Sequence, residues 1–176
     1  SKIALGVIFT LAFFVLLWIN LAIADRIAPK FRPTGPEDEL LDRYHAMVDR
    51  RAGLLRAAVA LGFAILAGAS VSSQWQQWLM FVNAKEFPER DAIFDTNVGF
   101  YVFKLPFYSF VVDWLIAAFV IILLVTMVAH YLNGGIRLQA PFQRVTPQVK
   151  AHMSVLLAVL ALLKAVSYWL ERYQLV

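Results

Sequence analysis

The chain has 176 residues, of which 61% are hydrophobic, and its mean hydropathy is +0.67. Soluble globular domains are usually about 45–50% apolar and spread charged side chains over the outer face of every surface helix. Here the apolar residues form long runs with the charges between them, which indicates an integral membrane protein and argues against a soluble domain. Anionic lipid headgroups explain the net charge of +4 more simply than nucleic acid does, and the absence of cysteine excludes disulfides and thiolate metal sites.

The first apolar run, residues 3–24, is long enough to cross a hydrocarbon core of about 30 Å as a helix. Because it is too long for a signal-peptide core and lacks a small-residue cleavage site, we interpret it as a spanning helix of a processed or partial chain. Prolines then interrupt helix formation until residue 36. Apolar side chains at helical spacing predict a short amphipathic helix at 37–50 on the cytoplasmic membrane surface, and a solvated helix packed on loops fits equally well.

The second predicted span, residues 52–72, carries Arg56 near its beginning, where a long side chain can reach the headgroups. Gly62 and Gly68 would allow close contact with another helix. The segment 72–106 follows and is rich in aromatic residues, which favour the membrane–water interface. We expect it to be an extracytoplasmic interfacial segment, because its apolar part is too short to span and too hydrophobic for a free loop.

The third and fourth predicted spans are residues 107–132 and 147–170. Pro106 suits the first turn of a helix, Asn133 and two glycines suit a helix end, and Thr146 with the following proline suits a helix start. The predicted fold class is therefore an all-α membrane protein, a single domain over residues 1–176 with four transmembrane helices.

Basic residues give the predicted orientation in the membrane. Four spans place loops 25–51 and 134–153 on one side, and segment 72–106 with both chain ends on the other. The first side has nine lysines and arginines in these segments and the second has five. By the positive-inside rule, the first side is the cytoplasmic face of a bacterial inner membrane.

Three strings resemble those of a known family: residues 99–108 (GFYVFKLPFY), 130–138 (HYLNGGIRL) and 163–173 (LKAVSYWLERY). In this order and spacing they resemble uncharacterised protein family 0182, a family of bacterial integral membrane proteins, over essentially the whole chain. The resemblance implies that the chain is the N-terminal transmembrane region of a longer parent protein. That parent would continue through further spans into a large extracytoplasmic domain. The family supplies no established activity and no catalytic residues.

Lys164 is the least expected residue of the fourth span, because a charge about 10 Å inside the membrane costs a few kcal/mol without a partner. Asp113 lies near the same end of the third span. We therefore predict an intramembrane Asp113–Lys164 pair or a shared polar cavity. The alternative is a lysine that extends to the headgroups and an aspartate at a helix end. A pair would favour part of a transport or permeation pathway, although the sequence lacks the broken helices typical of transporters.

His130 and His152 flank the same short loop and are weak candidates for binding a haem or a metal. Single histidines near helix ends are also common at interfaces, so no cofactor or metal is predicted beyond lipid contacts. The sequence has no His-Glu-x-x-His, Gly-x-Ser-x-Gly or phosphate-binding glycine loop. We therefore expect a non-enzymatic protein.

Aromatic residues between 75 and 108 form the predicted partner-docking surface. Exposed aromatic side chains there could dock another subunit or a further domain of a longer chain, and the alternative is a lipid anchor. The sequence thus predicts an anchor, scaffold or accessory subunit of a larger membrane complex, with no nucleic-acid partner. The residues of the predicted docking surface are Trp75, Trp78, Phe100, Tyr101, Phe103 and Phe107.

Overall fold

The structure, a computed structural model, describes residues 1–29, 51–136 and 145–175. The predicted surface helix at 37–50 lies outside these residues. The described chain is helical apart from two isolated β-bridges, which join Arg90 to Asn97 and Ile136 to Val145. Its α-helices are α1 (Lys2–Arg26), α2 (Ala52–Ala69), α3 (Trp75–Val82), α4 (Leu105–Leu132) and α5 (Pro147–Glu171).

Short irregular helices extend three of these elements. A 3₁₀ helix, Ser70–Gln74, joins α2 to α3, a π-helical turn, Phe100–Lys104, leads into α4, and a second 3₁₀ helix, Arg172–Gln174, ends α5. The described residues thus contain four stretches long and apolar enough to cross a membrane, which confirms the predicted all-helical fold with four candidate spans. These stretches are Lys2–Arg26, Gly53–Val82, Phe100–Leu132 and Pro147–Gln174.

Two boundaries differ from the prediction, and both lie in the segment 72–106. The helical path of the second span continues to Val82 instead of ending at residue 72, because the 3₁₀ helix carries it into α3. The third span begins at Phe100, because the π-helical turn continues directly into α4. Pro106 does not interrupt this path, since it lies in the first turn of α4, where a missing amide hydrogen costs nothing. Only residues 83–99 connect the two helical paths.

The spans alternate in direction, so the bundle has two distinct ends. Helix α1 packs most extensively on α2 and also on α4, which in turn packs on α5. We call one end the polar end, where the carboxyl ends of α1 and α4 meet the amino ends of α2 and α5. The opposite end, which holds α3 and residues 83–104, is the aromatic end.

Glycine sets the closest helix crossing in the bundle. A Cβ atom added to Gly68 of α2 would overlap the Thr10 side chain of α1 and lie 3.0 Å from the Gly6 carbonyl oxygen. The predicted close contact therefore holds for Gly68. It does not hold for Gly62, whose added Cβ would have no described atom within 4 Å.

The buried core is a narrow apolar seam between α1, α2, α4 and α5, and many large apolar side chains on the outer faces stay exposed. In water such exposure would be unfavourable, whereas lipid tails solvate it well. The buried members of the seam are Phe13, Leu17, Leu21, Ala60, Ala64, Ala118, Ile122 and Leu156.

Candidate functional site

Polar side chains from all four spans meet at the polar end of the bundle. We call them the polar cluster. Hydrogen bonds and one ion pair join them in pairs, and two of the hydrogen bonds link residues more than 100 positions apart in sequence. The cluster consists of Asn20 and Asp25 at the end of α1, Arg56 on α2, His130 on α4, Asn133 just after α4, and His152 on α5.

Its centre is the pair of histidines that the sequence singled out. His130 Nε2 lies 3.0 Å from His152 Nδ1, and the two rings are nearly perpendicular at 89°. His130 is fully buried. The structure therefore brings the two predicted histidines together as a hydrogen-bonded couple. Because these two ring nitrogens face each other, they are not arranged as a ligand pair around a third atom.

Hydrogen bonding to Asn20 determines which ring nitrogens of the couple carry hydrogen. The Asn20 Nδ2 donates to the Leu16 carbonyl oxygen at 2.7 Å, so its Oδ1 is the acceptor that faces His152 Nε2 at 3.2 Å. His152 Nε2 must therefore donate, and in a neutral ring its Nδ1 is then bare. His130 Nε2 must donate to that bare nitrogen, which leaves His130 Nδ1 without hydrogen.

Asp25 connects the other half of the polar cluster. One of its oxygens lies 3.0 Å from Arg56 Nη1, and the other accepts a hydrogen bond from Asn133 Nδ2 at 2.9 Å. The Arg56 side chain, predicted to reach the headgroups, thus binds an aspartate of the neighbouring helix. This contact holds α1, α2 and the end of α4 together.

Several polar atoms near the cluster are buried without a hydrogen-bond partner among the described residues. They are Arg56 Nε, Thr126 Oγ1, His130 Nδ1 and Thr146 Oγ1. Thr126 precedes His130 by four residues on α4, so the two side chains lie on one face of the helix, one turn apart. Unsatisfied buried polar atoms are rare in proteins, and four of the five among the described residues lie towards the polar end. The fifth is Gln77 Oε1 on α3.

The described contacts of Lys164 are to other residues of its own helix. The Lys164 ammonium lies 3.8 Å from a Glu171 carboxylate oxygen and 4.6 Å above the Tyr168 ring, so it extends along α5 towards the aromatic end. Asp113 is exposed on α4, and the described residues show no ion pair between it and Lys164. This geometry matches the alternative of a lysine that extends towards the headgroups. A shared polar cavity stays a prediction.

The predicted docking residues are largely packed on rings of the chain itself. Phe107 is only 8% exposed and packs on Trp78 and Phe81, with ring centroids 5.3 and 4.8 Å away. Phe100 packs on Tyr173 just after α5, and Phe103 stacks on Phe87. The other three, Trp75, Trp78 and Tyr101, are also only partly exposed. The rings therefore hold α3, α4 and the end of α5 together at the aromatic end.

A short hairpin, residues 87–99, positions these rings. The Asn97 side chain accepts from the Phe87 and Gly99 amides and donates to the Phe87 carbonyl, so it pins both ends of the hairpin. At Gly99 a Cβ atom would overlap the Lys85 carbonyl oxygen, so only glycine allows this approach. Asp91 accepts from the Phe94 amide, and this bond lowers the pKa of the carboxyl below its ordinary value of 3.8.

Sequence reasoning missed most of the polar cluster. It treated Asn133 as a helix end and Arg56 as a headgroup contact, and it assigned no partner to Asn20 or Asp25. The signal that could have found the cluster is positional. All four residues lie near the ends of predicted spans, and these ends share one predicted membrane face. Only the histidines were named as candidates.

A family model described as "Uncharacterised protein family (UPF0182)" matches residues 1–176. The chain belongs to this family. It is 42% identical over 173 residues to a UPF0182 protein of Frankia alni, which covers 98% of the chain and 17% of that relative. It is 42% identical over 158 residues to one of Thermobifida fusca, and 38% identical over 175 residues to one of Streptomyces coelicolor. These matches cover 90% and 99% of the chain, and 16% and 18% of the relatives.

UPF0182 membership confirms the resemblance drawn from the three sequence strings. The chain spans less than a fifth of the length of these relatives. No solved structure matches it. Within the string 130–138, His130 and Asn133 are members of the polar cluster.

Proposed function

We propose that this part of the UPF0182 protein is a non-enzymatic membrane anchor and scaffold, which holds the rest of a longer protein or a partner subunit at the membrane. One observation carries the proposal: the polar cluster ties all four spans together at one end of the bundle. In lipid, where the hydrophobic effect does not drive helices together, such bonds are worth about 0.6–2 kcal/mol each. A bundle fastened in this way suits a rigid base.

The aromatic end supports the same role. Ring contacts join α3 to α4, and they join the hairpin both to the π-helical turn before α4 and to the end of α5. Arg172 adds cation–π contacts to Phe94 at 5.5 Å and Trp169 at 4.6 Å. Around these packed rings, Ile93 and Tyr168 are 70% and 62% exposed. We propose that this rim, together with the partly exposed faces of the predicted docking residues, contacts another subunit or a further domain of the parent chain.

Site-specific photo-crosslinking of the full-length protein in its native membrane tests the docking surface. A photoreactive residue at Ile93 or Tyr168 should give a discrete protein adduct. The matched control is Leu124, which is 51% exposed on the lipid-facing side of α4 and should give lipid adducts alone. Lipid adducts at all three positions would leave the aromatic end as a simple interfacial anchor and would contradict the docking role.

We further propose that the polar end faces the cytoplasm, as the distribution of basic residues predicts. The chain has no cysteine, so single-cysteine variants can be labelled without background. An impermeant maleimide added to intact cells should label Glu86→Cys at the aromatic end and not Gln148→Cys at the polar end; both positions are exposed. The opposite pattern would reverse the orientation.

The alternative function is part of a transport or permeation pathway that uses Lys164 and Asp113. Purification of the full-length protein in a mild detergent separates the two proposals. Stoichiometric partner proteins would favour the scaffold, whereas an oligomer of this protein alone with a polar central cavity would favour the pathway.

A further inference from the structure

The bare nitrogen of His130 is the starting point for an inference that goes beyond anchoring and does not depend on it. The hydrogen-bond order Asn20, His152, His130 leaves His130 Nδ1 as an acceptor, buried and without a partner among the described residues. Every other imidazole nitrogen of the couple is already used. The couple can therefore accept one proton at one known atom.

We propose that the His130–His152 couple is a proton-binding site that controls how tightly the polar end of the bundle is packed. With both rings neutral, the hydrogen bonds join α5 to α1 and α4. A hydronium ion transfers one proton to the lone pair of His130 Nδ1, so that an N–H bond forms as an O–H bond of the hydronium breaks. Water is released, and the charge of the couple changes from 0 to +1.

Charged side chains near the couple determine the effect of this added positive charge. Asp25 on α1 and Arg56 on α2 already neutralise each other at 3.0 Å, so a protonated couple adds an uncompensated positive charge to the cluster. Asp25 would attract it and Arg56 would repel it. On α4 the neighbours Thr126 and Asn133 carry no charge, and on α5 the nearest charged residue, Lys150, is exposed and positive.

Burial decides which way the structure responds. The new N–H group on His130 needs an acceptor, and Thr126 Oγ1, one turn away on the same face of the helix, is a buried oxygen without a partner among the described residues. The net positive charge still needs solvation, because burying an unpaired charge is strongly unfavourable. Water reaches it most directly if the amino end of α5 moves away from α1 and α4, which loosens the polar end and leaves the aromatic end unchanged.

Spin labels can measure this movement in the cysteine-free chain. In nanodiscs, one pair of labels at Arg26 and Ala151 reports the distance from α1 to α5 at the polar end, and both positions are exposed. A matched pair at Ile3 and Tyr168 reports the same two helices at the aromatic end. Between pH 8 and pH 4 the polar-end distance should lengthen by about 2 Å or broaden, which is the usual size of a helix shift. The aromatic-end distance should stay constant.

A His130→Gln/His152→Gln variant is the control, since glutamine keeps a donor and an acceptor and does not titrate in this range. Its polar-end distance should not respond to pH. An unchanged wild-type distance, or an equal response in the glutamine variant, would overturn the proposal.

Nitrogen-15 NMR of the ring nitrogens keeps the test decisive even if the glutamine variant fails to fold. A His45→Asn background leaves only this couple to observe, because the chain has three histidines. At pH 8 both rings should carry hydrogen on Nε2 alone, and on acidification His130 Nδ1 should be the first nitrogen to gain a proton. Protonation of both rings in one step, hydrogen on His152 Nδ1 at pH 8, or no protonation of either ring in the folded protein at pH 4 would each contradict it.

Discussion

The crossing of α1 and α2 at Gly68 yields the sharpest stability prediction, because the structure contains its own control. Replacing Gly68 by alanine places a Cβ atom 2.9 Å from Thr10 Cβ and into the Thr10 hydroxyl oxygen. That hydroxyl donates to the Gly6 carbonyl at 2.8 Å, so it cannot rotate away without losing a bond. The two helices must separate instead.

Overpacking of this kind costs about 1–3 kcal/mol. The control is Gly62→Ala in the same helix, which adds the same methyl group into open space and should stabilise the helix by about 0.5–1 kcal/mol. Both changes gain the same helix propensity, so we expect the Gly68→Ala variant to be about 1–3 kcal/mol less stable than the Gly62→Ala variant, which is the cost of the overlap alone.

Reversible unfolding in mixed detergent–lipid micelles, followed by circular dichroism, measures the difference directly. Thr10→Ala removes the hydroxyl group that the new methyl meets, so the Thr10→Ala/Gly68→Ala double variant should recover part of the lost stability. Equal stability of the Gly68→Ala and Gly62→Ala variants would refute the close crossing. A loss in the double variant as large as the sum of the single losses would refute its assignment to Thr10.

The remaining predictions concern polar residues. Asn20→Leu removes the acceptor of His152 and should cost about 1–3 kcal/mol of unfolding free energy in the same assay, and a neutral result would contradict the bond. The hydrogen bonds of Asp91 should be intact near neutral pH and be lost as the pH falls through its lowered pKa, because protonation removes the preferred acceptor. Hydrogen exchange of the backbone amides in the hairpin measures this loss. Loss of the bonds well above pH 4 would contradict the prediction. A double-mutant cycle of Asp113→Asn and Lys164→Met should give a coupling energy near zero, whereas about 1 kcal/mol or more would restore the predicted pair.

The spans were predictable because lipid leaves few alternatives. Inside a membrane no water is available to the backbone N–H and C=O groups, so an apolar run of 22 to 26 residues must form a helix to satisfy them. The bounds of α1 and α5 therefore agree with the predicted runs to within a few residues. The observed helix bounds differ from the predicted ones where local backbone geometry, and not composition, determines the end of a helix. Nothing in the hydrophobic pattern distinguishes a helix that ends at residue 72 from one that turns through a 3₁₀ segment and continues to Val82.

Side-chain partners were less predictable, since they depend on facing positions in three dimensions. Proximity of His130 and His152 followed from the short loop between their helices. The Asp25–Arg56 pair required the rotation of α1 against α2, which no periodicity supplies. Lys164 found Glu171 two turns along its own helix, whereas the sequence argument looked for a partner across the bundle.

The same reasoning explains why the predicted aromatic docking surface is largely internal. Asn97 folds the hairpin by bonds from its side chain to the backbone, and such local bonds leave no periodic trace in the sequence. Once the hairpin is folded, Phe100 and Tyr101 lie against Tyr173 at the end of α5. The exposed rim around them is what remains available to a partner.

Two different kinds of contact hold the bundle together, and they lie at different depths in the membrane. The glycine crossing involves Thr10 and the polar cluster begins at Asn20, ten residues along α1, which is about 15 Å on a straight helix. Sites separated by more than about 10 Å without shared partners usually act independently. A proton that loosens the polar end therefore leaves the crossing at Gly68 intact, so the bundle can change its packing at the polar end while α1 and α2 stay in contact near the aromatic end.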